Sequence, residues 1–153
     1  MCPVEIKIIP NGEIKPFRQY RTRLQSPEEQ EVNKQVLEWL QKRIIRKSCL
    51  DIASRLVAVK KKTGDYRVCV DFGQLNDIVL KDCFPASEDV LQILHVPTET
   101  ASKKYTSFVI KQWLYEFNRA PFGFCNSPAY FIRYYQLYFS RTNNCRHYGN
   151  IYG

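Results

Sequence analysis

The chain has 153 residues, 44% hydrophobic and 14% aromatic, enough apolar mass for one buried core and too much for a disordered segment. Its 23 Lys and Arg against 15 Asp and Glu leave a net charge of +8, which favours a polyanionic partner, with a solvated basic surface as the plainer alternative. No apolar run is long enough to cross a bilayer, and Met1-Cys2-Pro3-Val4-Glu5 lacks the apolar stretch of a secretory signal. The expectation is an intracellular protein, cytoplasmic or nuclear, not secreted.

In chain order, residues 1–25 read as an extended arm. Glu5-Ile6-Lys7-Ile8-Ile9 meets a Pro10-Asn11-Gly12 turn signal, and Pro16-Phe17-Arg18-Gln19-Tyr20-Arg21 is basic and aromatic. A helix is predicted next, with Ser26 as cap, Pro27 in the first turn and Glu29 as the capping-box acid. Val32, Val36, Trp39 and Leu40 give it one apolar face, and it ends near Lys42-Arg43, where cations suit the dipole. A hairpin follows: 54–60 and 66–71 are β-rich, and Lys62-Thr63-Gly64-Asp65 supplies the turn.

Further on, 74–77 and 81–85 read as loop, and a short helix is expected from Ser87 to Leu94. Residues 105–110 and 113–117 read as two more strands. Pro121-Phe122-Gly123-Phe124-Cys125-Asn126-Ser127-Pro128 is a tight loop leading into a helix on which Phe131, Tyr135 and Tyr138 share a face. Residues 141–153 show no apolar period and are expected to be loose. The six cysteines (Cys2, Cys49, Cys69, Cys83, Cys125 and Cys145) include no Cys-x-x-Cys pair, and His95 and His147 are far apart, which is poor zinc spacing. Reduced cysteines are expected. The economical reading is one α+β domain.

Two segments carry a family resemblance. One runs from Val59 through Lys60-Lys61-Lys62-Thr63-Gly64-Asp65-Tyr66-Arg67 to Asp71-Phe72 and then Gln74-Leu75-Asn76. The other runs from Leu114 through Ala120-Pro121-Phe122-Gly123-Phe124-Cys125-Asn126-Ser127-Pro128 to Ala129. Both resemble the fingers and palm of reverse transcriptases from gypsy-type long-terminal-repeat retrotransposons. Ile44-Ile45-Arg46-Lys47-Ser48, Lys81-Asp82-Cys83-Phe84-Pro85 and Lys103-Lys104-Tyr105-Thr106-Ser107-Phe108 match the same family in the same order, so the resemblance spans roughly residues 5 to 139. It implies a partial fingers-palm of a right-hand polymerase over 26–139, with antiparallel strands packed against helices and an unmatched tail over 140–153.

The resemblance assigns Lys61 and Arg67 to the phosphates of an incoming nucleotide, a compact charge beside a planar fork. On the residues alone they also fit a solvated hairpin tip. Phe122 and Gly123 resemble the loop beneath the nascent base pair, where glycine lets backbone approach and a flat ring presses on sugar and base. The plainer alternative is an ordinary turn with Phe122 in the core.

Intact members hold two magnesium ions on carboxylates. Here Leu94 runs directly into His95, so the strand bearing the first aspartate is missing. In place of the Tyr-x-Asp-Asp hairpin the chain reads Arg146-His147-Tyr148-Gly149-Asn150-Ile151, with no acid after Glu116. Asp71 is expected to form an ion pair or cap a turn, Gly73 replaces an arginine, and Trp113 stands at a turn glycine. The expectation is a degenerate fragment with no catalytic or metal-binding residue, no cofactor of its own and weak deoxynucleotide binding if any. The alternative is a non-catalytic module that binds an RNA or DNA primer-template through Arg18, Arg21 and Arg23 together with Lys60, Lys61 and Lys62.

Overall fold

The computed structural model describes residues 4–20, 22–49, 52–82 and 93–147, with side chains of the last helix as far as Tyr138. Arg21, residues 83–85 of the expected loop, residues 87–92 of the short helix expected from Ser87 to Leu94, and the residues beyond 147 lie outside the described residues.

The first helix, α1 (Ser26–Gln41), buries Val32, Val36 and Trp39, the face its period predicts. Its N-cap is Gln25 rather than Ser26, because the Glu28 carboxylate accepts the Gln25 N–H at 2.8 Å. Glu28, not Glu29, is therefore the acid that closes the box. The chain leaves α1 through Arg43 in the left-handed region (φ 55) and enters β1 (Ile45–Lys47).

Strands β2 (Ser54–Lys60) and β3 (Tyr66–Asp71) form the predicted hairpin, with Val59 opposite Arg67 and Lys60 opposite Tyr66. The turn closes with Lys61 N–H on Asp65 O at 2.7 Å and Gly64 at φ 96. Residues 74–77, expected as loop, instead lie in α2 (Gly73–Ile78). The reason is tertiary: Asp71 Oδ1 accepts Gly73 N–H at 3.0 Å at the helix start, and Leu75 within it is fully buried.

The strand expected over 105–110 begins later, as β4 (Phe108–Ile110), after a 3₁₀ turn at Lys103–Thr106. Thr106 imposes that turn, donating its hydroxyl to Lys103 O and accepting Phe117 N–H. Then β5 (Trp113–Phe117) pairs with β4 and β1. The sheet order is β1-β5-β4-β2-β3, and its pairings are antiparallel except β2 with β4, which run parallel. The α+β class and the mainly antiparallel sheet stand, and the one parallel pair, β2 with β4, departs from the antiparallel pattern expected.

Phe72, Phe108, Phe117 and Trp39 form the aromatic centre, with ring centroids 5.1 Å apart for Phe108–Phe117 and 5.5 Å for Trp39–Phe117. The arm belongs to the same core. Ile6 and Ile8 are buried, and Ile6 exchanges hydrogen bonds with Pro97 and Glu99. Where Leu94 joins His95 the chain makes a 3₁₀ turn (Ile93–His95), after which Val96 and Thr98 bond to Ala120 and Asn118. The last helix, α3 (Ser127–His147), begins beside Pro128 as expected but continues as helix through 141–147, where no apolar period predicted it. Among the described residues no helix is long and apolar enough to cross a membrane.

Candidate functional site

The site assembles where the β2–β3 hairpin, the C-terminal half of α1 and the 121–126 loop converge. A cavity of about 440 Å³ there is lined by Lys61, Arg67, Phe122, Trp39, Glu38 and Leu94, among others. Three of the four residues assigned to a nucleotide thus share one cavity. The fold gathers them because Lys61 follows β2 while Arg67 lies in β3, one step along the ladder from the turn. Arg67 places its guanidinium 5.9 Å from the centroid of the Phe122 ring, within cation–π range.

Gly123, the fourth, has φ 86 and passes so close to β3 that a Cβ there would stand 3.1 Å from the carbonyl oxygen of Val70. Two asparagines hold this loop, and sequence reasoning gave neither a role. Asn76 of α2 donates to Gly123 O and accepts Cys125 N–H, both at 2.9 Å. Asn126, itself buried, donates to Leu80 O at 2.8 Å and accepts Asp82 N–H at 2.9 Å. Both sit in quoted motifs, and an amide that both donates and accepts is the side chain suited to tying two backbone segments together.

The cations of the arm lie elsewhere. Arg23 and Arg18 line clefts between the arm and β4, away from the cavity of Lys61 and Arg67. Lys60 and Lys62 are exposed at the hairpin end, beside that cavity but not in it.

The acids that could be considered for metal are each engaged. Asp71 pairs with Arg55 at 2.9 Å while capping Gly73, as the sequence predicts. Asp82 receives both Nη atoms of Arg133, at 2.6 and 3.0 Å. Glu116 is buried in β5 and held by Arg46 at 2.6 Å and Ser48 at 3.0 Å. Among the described residues no three His, Cys, Asp or Glu side chains gather as a metal site. Asp89 lies outside the described residues; among the described ones the donor set does not fit a two-magnesium centre, which needs free oxygen ligands grouped around each ion.

Cys125 sits in the same loop, and packing around its sulfur pushes the thiol pKa up, against a smaller opposing pull from Lys81. A raised thiol pKa means less thiolate at neutral pH, so iodoacetamide should label Cys125 more slowly than a free thiol. Its labelling rate should still be climbing with pH above the ordinary thiol value. A rate at neutral pH equal to that of glutathione would contradict this.

The β1-β5-β4-β2-β3 sheet with its flanking helices matches the polymerase fold of solved reverse transcriptases. A foamy virus protease-reverse transcriptase bound to an RNA/DNA hybrid superposes with a TM-score of 0.71 at 17% identity, covering 82% of this chain and 19% of that one. Another foamy viral protease-reverse transcriptase, bound to double-stranded DNA, gives 0.69 at 18% identity over 82% of this chain and 31% of that one. The class is therefore a reverse-transcriptase fold.

By sequence the chain is 31% identical to the retrovirus-related Pol polyprotein from transposon 297 of Drosophila melanogaster, over 67% of this chain. It is 32% identical to that from transposon opus of the same fly, again over 67%. No family model matches the chain. The chain is a reverse-transcriptase fragment related to retrotransposon Pol polyproteins, and it spans only 12% and 13% of those two polyproteins.

Proposed function

We propose that this chain is an inactive remnant of a gypsy-type reverse transcriptase that keeps a phosphate-facing surface but does not polymerise. The observation that carries this reading is a contrast within one site. Lys61, Arg67 and Phe122 still line a common cavity, whereas Asp71, Asp82 and Glu116 are each tied to an arginine. Cations and a flat ring can meet a triphosphate and its base, but phosphoryl transfer also needs metal-bearing carboxylates. The resemblance puts a metal-bearing aspartate strand between Leu94 and His95, and here those two residues are adjacent.

A second reading, a nucleic-acid-binding module, draws support from the net charge of +8 and from the relatives solved with double-stranded DNA and an RNA/DNA hybrid. Under it, Lys60 and Lys62 at the hairpin and Arg18, Arg21 and Arg23 on the arm contact a primer-template backbone. Fluorescence anisotropy with a primed RNA across a potassium chloride series separates the readings. If the module is right, affinity falls steeply with salt, and Lys61→Glu with Arg67→Glu weakens binding by about tenfold or more at low salt. Binding indifferent to salt and to both reversals would rule the module out.

A further inference from the structure

We propose that the cleft between the N-terminal arm, α1 and β4 is a binding site for an amphipathic organic anion, an alkyl or aryl carboxylate. This cleft measures about 630 Å³, larger than the hairpin cavity, and falls within the range typical of small-molecule sites. Its floor is aliphatic: Val32 from α1, Leu56 from β2 and Val109 from β4 are buried, with Leu24 and Ile110 beside them. A neighbouring cleft shares Tyr20, Val109 and Lys111 as lining and is also walled by Arg18 and Gln19.

The rim is cationic. Glu29, the acid of the lining, is already matched by Lys111. Arg23 and Arg18 make no ion pair among the described residues. Guanidinium groups with no carboxylate partner among the described residues, beside a concave aliphatic floor, suit a ligand with an apolar body and an acidic head. Tyr20 is 95% exposed and stands at the mouth, where its ring can fold over such a body.

A nucleic-acid strand fits this place poorly. Tyr20 and the arginines of the rim could meet a strand, but the buried aliphatic floor of Val32, Leu56 and Val109 offers a sugar-phosphate backbone no polar partner, whereas it suits an alkyl or aryl body. The site is also separate from the cavity that holds Lys61, Arg67 and Phe122.

The test is a titration of the full chain with 1-anilinonaphthalene-8-sulfonate, followed by displacement with decanoate. The expected result is one saturable site from which decanoate removes the dye. Arg23→Glu should weaken both ligands by roughly tenfold, the loss of a charge-assisted contact. Asn33→Trp, at an exposed lining position of α1, should fill the cleft and abolish binding while the far-ultraviolet circular dichroism stays that of the parent. Dye binding that never saturates, that survives both substitutions unchanged, or that decanoate does not displace would overturn the proposal. So would displacement of the dye by a primed RNA duplex, which would make the cleft part of a nucleic-acid surface.

Discussion

Gly123→Val is expected to destabilise the fold by about 3 kcal/mol, because two independent costs fall on one residue. At φ 86 the backbone lies in the left-handed region, which a β-branched residue resists most. The new Cβ would also stand 3.1 Å from the Val70 carbonyl oxygen, a backbone atom of β3 that cannot swing aside. For a domain of this size the melting temperature should fall by on the order of 10 °C. Gly73→Ala is the matched control. Its Cβ would meet Asp71 Oδ1 at the same 3.1 Å, but that atom ends a side chain and can rotate. It should cost less than about 1 kcal/mol. Equal melting temperatures for Gly123→Val and the parent protein would show that the loop does not press against β3 as described.

Trp39→Ala is expected to cost about 3 to 5 kcal/mol, a large part of the stability of a domain this size. Trp39 is 5% exposed and touches Phe117 and Phe108 with ring centroids at 5.5 and 6.3 Å, so its removal opens a void in the aromatic centre. It also walls the cavity of Lys61 and Arg67, so the void would open toward the site. Trp39→Phe keeps an aromatic partner for Phe117 and should recover roughly half of the loss. The check is urea unfolding followed by circular dichroism. A Trp39→Ala midpoint matching the parent would contradict the packing described.

Much of the fold was legible in the sequence where local signals agree with each other. The β2–β3 hairpin matches the expected strand bounds, because two β-rich runs flank a Lys-Thr-Gly-Asp turn signal. The apolar face of α1 was equally plain from its period. Long-range bonds decided the elements that were misread. Residues 74–77 have no helical period, yet Leu75 reaches the core and Asp71 caps the turn, so tertiary anchoring overrides a weak local preference. Thr106 has good β propensity, but its hydroxyl bridges Lys103 and Phe117 and holds a 3₁₀ turn where a strand was expected. The parallel register of β2 with β4 could not be read from either strand alone.

The site was legible in outline. Lys61 and Arg67 could be placed across a hairpin, and Phe122 with Gly123 in a tight loop, from residue type and turn chemistry. That Phe122 lies under Arg67, and that Trp39 and Glu38 of α1 close the same cavity, depends on packing between three separate segments of the chain. Asn76 and Asn126 passed unremarked because nothing local distinguishes a loop-tying amide from a solvated one. The pairing of Asp71 was foreseen in kind, but its partner Arg55 emerged only with the sheet register.

Primer extension separates a remnant from a working polymerase most directly. The purified protein would be given a primed RNA template, the four deoxynucleotides and either magnesium or manganese, with primer length and duplex binding read from the same samples. No extension is expected with either metal, whether or not the duplex is bound. Extension that disappears on chelation would contradict the remnant reading, and would require carboxylates to leave their arginine partners, beginning with Asp71 and Asp82.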